Sequence, residues 1–122
     1  MLLGELSEAV GVSGAEDEVR DLIKEEVADY VDKIETDALG NLIVYKEGNK
    51  SLPTLLIAAH MDEIGLMVTN IKKNGLLSFK PVGAVDKRIL VSKQIVIGED
   101  KVPGVIGAKA IHLQKPSERK KP

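Results

Sequence analysis

The chain contains no cysteine and no tryptophan, and its 122 residues include a single phenylalanine and two tyrosines. Without cysteine there is no disulfide, no thiol nucleophile and no thiolate-bound zinc. So few aromatic rings leave no platform on which nucleic-acid bases could stack. The formal charge of −2, from 17 basic and 19 acidic residues, carries no basic excess, so nucleic acid is not an expected partner. No apolar run approaches the roughly 20 residues of a membrane span. The opening Met1-Leu2-Leu3-Gly4-Glu5 reaches an acid before a signal-peptide core could develop. The expectation is a cytoplasmic α/β protein that does not engage a membrane, with length for one modest core.

What is present begins with helical spacing. Leu2, Leu3, Leu6, Ala9 and Val10 recur on one face before Gly11-Val12-Ser13-Gly14 breaks the pattern. Ser13 followed by Glu16 predicts a capping box, and Asp17 and Glu18 suit the positive end of a helix. Val19, Leu22, Ile23, Val27, Tyr30 and Val31 then form the apolar stripe of an amphipathic helix over roughly 15–31, its charged face turned to solvent.

From Lys33 the period changes to that of strands. Residues 33–36 and 42–45 flank the turn Asp37-Ala38-Leu39-Gly40-Asn41, which predicts a hairpin. Residues 66–71 and 76–81 flank Asn74-Gly75, a tight-turn signal. Residues 89–97 and 102–108 read as two further strands, punctuated by Gly98-Glu99-Asp100 and Pro103-Gly104. Helices and a mixed sheet thus fill the first half and short strands the second, which places a boundary near Gly65 between residues 1–65 and 66–122. About four strands are few for an independent barrel or sandwich. Residues 115–121 read as a solvated basic tail, and His112 as a surface or packing histidine.

The stretch richest in chemistry is Thr54-Leu55-Leu56-Ile57-Ala58-Ala59-His60-Met61-Asp62-Glu63-Ile64-Gly65. An unbroken apolar run of strand length predicts a strand over 54–59 buried on both faces, and functional groups of α/β folds collect where such strands end. A histidine and an aspartate leaving that point together suit a metal ligand and its orienting carboxylate, because a ligating imidazole donates its other N–H to an acceptor. A structural histidine held by its neighbour is the commoner meaning of so short a motif.

Five segments carry a resemblance. They are Ser13-Gly14 with the acidic helix after it, Thr36 to Ile43 around Asp37-Ala38-Leu39-Gly40-Asn41, Ala58 to Gly65, Pro103-Gly104-Val105-Ile106-Gly107, and His112-Leu113 ahead of Lys115-Pro116. In this order, across essentially the whole chain, they resemble the amino-terminal part of the tetrahedral (TET-type) aminopeptidases, which include glutamyl aminopeptidase and proteins once labelled endoglucanase. The resemblance implies an exopeptidase with two zinc or cobalt ions that removes N-terminal residues from peptides. It also implies an α/β catalytic domain interrupted by a smaller, barrel-like β-rich domain used in homo-oligomer assembly. By position, His60 would be a metal ligand and Asp62 the carboxylate that orients its imidazole and tunes its basicity. Glu63 falls in the motif with no catalytic role; a structural hydrogen bond at the strand end is the expectation.

Family members are far longer. The resemblance places the metal-bridging aspartate, the glutamate general base, the other carboxylate ligands and the second histidine downstream of this chain. A catalytic zinc takes three protein ligands and an open position, and hydrolysis needs a base. Residues 1–122 are therefore expected to be a fragment, inactive and without tightly bound metal when alone. The alternative is a non-catalytic truncated homologue that acts only in subunit association.

Overall fold

The computed structural model describes residues 1–114. They form helices α1 (Leu2–Glu8) and α2 (Asp17–Val27) and strands β1 (Lys33–Thr36), β2 (Leu42–Tyr45), β3 (Gly65–Ile71), β4 (Leu77–Val82), β5 (Gln94–Ile97) and β6 (Val102–Val105). Short 3-10 turns occupy Ala28–Tyr30, Lys87–Ile89 and Ile111–Leu113. No helix among the described residues is long and apolar enough to cross a membrane. The chain divides into two compact units, Met1–Val85 and Asp86–Pro122.

In the first unit α2 starts later than its sequence suggests. Its N-cap is Glu16, without a side-chain cap bond, and the Glu16 carboxylate instead accepts the Gly14 amide at 2.7 Å. The expected capping box does not form, because the Ser13 hydroxyl has another acceptor. Asp17 and Glu18 do occupy the first turn, and Val19 at 7% exposure is the buried apolar residue of this unit. Beyond Val27 the helix tightens into the 3-10 turn and leaves Tyr30 exposed.

All three sheets are two-stranded and antiparallel, so the mixed sheet expected for the first half is not formed among the described residues. Strands β1 and β2 pair Lys33 with Tyr45 and Thr36 with Leu42. Their turn runs from Asp37 to Asn41, with Gly40 at φ 89°, a conformation open mainly to glycine. Strands β3 and β4 pair Gly65 with Val82 and Ile71 with Leu77, with a register shift between Val68 and Asn70. Here the loop is longer than a two-residue turn: Gly75 donates to the Lys72 carbonyl, Lys72 pairs with Leu76, and Gly75 lies at φ 80°. A turn closed by a left-handed glycine fits the right-handed twist of the strands.

The apolar run 54–59 is not a strand. Leu55, Leu56 and Ile57 are 82%, 87% and 85% exposed. An apolar run becomes a strand only when its N–H and C=O groups find a neighbour, and no described segment pairs with it.

In the second unit β5 pairs Gln94 with Val105 and Ile97 with Val102. The strand predicted over 89–97 is cut to its last four residues. Asp86 accepts the Arg88 amide and starts a 3-10 turn, and Ser92 at φ 67° breaks the extended run. Ile106 continues the pairing through Lys93 and Ser92 and, at 5% exposure, is the buried apolar residue among those described in this unit. His112 sits exposed in the last 3-10 turn, and the solvated tail expected over 115–121 lies outside the described residues.

Candidate functional site

The His60–Asp62 segment is held from one side by the loop between the two helices. The Glu63 amide donates to the Gly11 carbonyl at 2.7 Å, and the Gly11 amide approaches Glu63 Oε1 at 3.4 Å. Val12 and Glu63 form a parallel bridge. Close approach at this point requires glycine: a Cβ on Gly65 would lie 2.7 Å from Val12 Cγ1, and one on Gly11 equally near Val19 Cγ2. Glu63 is thus engaged with backbone, as its structural reading expects.

One residue after Val12 and one before Glu63, the Ser13 hydroxyl donates to Asp62 Oδ2 at 2.5 Å. The other Asp62 oxygen, Oδ1, lies 3.2 Å from His60 Nδ1, and the Asp62 carbonyl oxygen lies 3.0 Å from the same nitrogen. A proton on Nδ1 is directed to the Asp62 carbonyl, with the carboxylate oxygen beside it as an ion-pair partner, and leaves the Nε2 lone pair as the ligating position. Among the described residues nothing hydrogen-bonds Nε2, and the imidazole is 85% exposed. The Ser13 hydroxyl holds the Asp62 carboxyl below its ordinary range; partial desolvation opposes this, and the neighbouring His60 adds to it. Asp62 is therefore an ionised, oriented acceptor.

The two residues singled out by sequence are brought together, and Ser13 joins them. Sequence reasoning assigned Ser13 to a helix cap, because nothing local links positions 49 apart. The glycine at 65 was visible, but not the Val12 side chain that demands it.

The profile of the M42 glutamyl aminopeptidase family matches residues 40–122. The chain belongs to the M42 glutamyl aminopeptidase family. A lysyl aminopeptidase of Pyrococcus furiosus is 38% identical over 117 residues, covering 93% of this chain and 33% of that protein. Among solved structures, a TET aminopeptidase from the marine sediment archaeon Thaumarchaeota archaeon SCGC AB-539-E09 superposes with a TM-score of 0.86 at 37% identity. The match covers 98% of this chain and 34% of that one. The TET1 peptidase of Pyrococcus horikoshii, described as assembling into a tetrahedron or a large octahedral shell, gives 0.75 at 37% identity, over 95% and 36% of the two chains. This M42 chain spans about a third of the length of the curated relatives it matches.

M42 aminopeptidases are metal-dependent, so the donor set bears directly on how this chain relates to a metal centre. A neutral imidazole with Nδ1–H bonded to a carboxylate and a carbonyl is the form in which histidine ligates through Nε2. No group of three or more His, Asp or Glu side chains able to hold a metal occurs among the described residues. The described residues fit one ligand position with its orienting acceptors, not a closed centre.

Proposed function

We propose that this chain is the amino-terminal portion of a two-metal aminopeptidase that releases N-terminal residues from peptides. His60 is its ligand to one metal through Nε2, and Asp62 orients and polarises that imidazole through Nδ1. The observation carrying this reading is the His60–Asp62 pair, with Nδ1 3.0 Å from the carbonyl and 3.2 Å from the carboxylate and Nε2 without a hydrogen bond among the described residues, in a chain of the M42 family. When bound, zinc or cobalt ions would polarise the scissile carbonyl and acidify water at the site. The chain's own contribution is to hold the imidazole in one orientation beside an ionised carboxylate. Glu63 takes no chemical role, since its amide and carboxylate are tied to Gly11.

Within the same reading, residues 1–65 belong to the catalytic α/β domain and 66–122 to a β-rich assembly domain. The complete protein is a cytoplasmic homo-oligomer joined through residues 66–110, a view supported by the assemblies of the TET1 peptidase. Alone, the chain is inactive and holds no metal tightly, because one histidine cannot keep two ions.

The test joins this chain to the downstream two-thirds of an M42 relative. His60→Ala should lose bound metal and aminopeptidase activity together. Asp62→Asn should keep the fold and weaken metal affinity or activity by roughly 10–100-fold. An Asp62→Asn protein equal to the parent in both would make Asp62 an ordinary surface residue.

A further inference from the structure

We infer that Ser13 is a positioning residue: its hydroxyl fixes the Asp62 carboxylate in the rotamer that accepts His60 Nδ1–H, and so selects the imidazole form with Nε2 free to ligate. The inference rests on the reading of His60 and Asp62 given above.

A half-exposed carboxylate rotates freely unless something holds it. Asp62 has one oxygen for His60 and one for Ser13, at 3.2 and 2.5 Å, so the serine bond determines which way the first oxygen points. The hydroxyl is itself held in place by three contacts made by its neighbours. Gly11 exchanges bonds with Glu63, Val12 bridges to Glu63, and the Val12 side chain packs where Gly65 has none. Ser13 enters from the helix-joining loop and Asp62 from the segment bearing the ligand, so the bond couples two parts of the chain rather than closing a local turn. A serine needed merely as a cap would face the α2 N-terminus, and α2 has no side-chain cap. A hydroxyl donating to a carboxylate forms a short, strong bond, and the carboxylate in turn is a stronger acceptor for Nδ1–H than the carbonyl beside it. Without Ser13 only the carbonyl at 3.0 Å would hold the ring.

The experiment uses the uniformly ¹⁵N- and ¹³C-labelled 122-residue chain at mildly alkaline pH, and needs neither metal nor activity. Imidazole nitrogen shifts report the share of the Nδ1–H form, and vicinal couplings report the Asp62 χ1 rotamer. In the parent, Nδ1–H should predominate and Asp62 should occupy one rotamer. Ser13→Ala should average the Asp62 couplings and move His60 toward Nε2–H, while amide spectra of α2 and the β1–β2 hairpin stay unchanged. Ser13→Thr, which keeps the donor, should restore the parent values. A parent in which Nε2–H predominates overturns the reading of the His60–Asp62 pair itself, and this inference with it. A parent in which Nδ1–H predominates, with Ser13→Ala leaving both signals unmoved or Ser13→Thr behaving like Ser13→Ala, overturns the role of Ser13 alone.

Discussion

Arg20 and Gly40 join α2 to the β1–β2 hairpin: the Arg20 Nε donates to the Gly40 carbonyl at 2.8 Å. The same side chain, only 10% exposed, pairs with Asp17 and lies 3.9 Å from Glu16. Charge-assisted bonds of this kind are worth about 2 kcal/mol when one partner is removed. Arg20→Ala should therefore speed amide exchange through α2 by about 30-fold, tenfold for each 1.4 kcal/mol. Arg20→Lys should fare little better, lacking the planar fork that serves the carbonyl and the carboxylates together. Unchanged exchange in Arg20→Ala would mean that the hairpin and α2 are held by other contacts.

Gly65→Ala tests the clasp around the site. The new methyl would run into Val12, a stiff β-branched side chain, and overpacking of this sort costs about 1–3 kcal/mol. The Glu63 amide, bonded to Gly11 at 2.7 Å, should lose exchange protection. Adding Val12→Ala to the same protein should recover much of it. Full protection in Gly65→Ala would show that the two segments do not depend on this approach.

Asp37 supplies a pH dependence. Its carboxylate accepts the Asn41 side-chain amide at 2.8 Å and the Asn41 and Leu39 backbone amides at 2.9 Å. These bonds, the Asn41 side chain first, hold its carboxyl below the ordinary range. A depressed folded value means the contribution is complete above the unfolded value of about 3.9 and disappears as pH falls through the folded one. Asn41 amide signals should therefore stay constant down to that unfolded value and shift only below it. Asp37→Asn should abolish the shift. A midpoint at or above the unfolded value would contradict the bonding.

Much of the local structure was legible because it depends on neighbours in sequence. The hairpins around Gly40 and Gly75 follow from strand runs on either side of a turn, and α2 from its apolar stripe and acidic first turn; the strands around Gly98-Glu99-Asp100 were legible in part, each shorter than its run. His60 and Asp62 were legible as a pair because two residues at a run's end must lie close. What failed depended on more than neighbours in sequence. Leu55, Leu56 and Ile57 carry a buried-strand pattern yet stand exposed, since no described segment pairs with them. Ser13 looked like a cap because its acceptor lies 49 positions away.

That uncovered apolar segment has a consequence in solution. Unsatisfied backbone and apolar side chains in an extended run recruit other chains. We expect the chain to be dimeric or larger at micromolar concentration by light scattering, and to bind a hydrophobic dye. Leu56→Glu, at a position 87% exposed, should reduce dye binding without loss of hairpin signals. A monomer with a cooperative thermal transition and no dye binding would refute this.

The measurement that tests the central claim most directly is hydrolysis of an aminoacyl substrate with added zinc or cobalt. It compares the purified chain with the same chain joined to the downstream two-thirds of an M42 relative. We predict turnover by the joined protein alone, abolished together with metal binding by His60→Ala. Metal-dependent release of N-terminal residues by the isolated chain, itself abolished by His60→Ala, would contradict the assignment of one ligand position to residues 1–122.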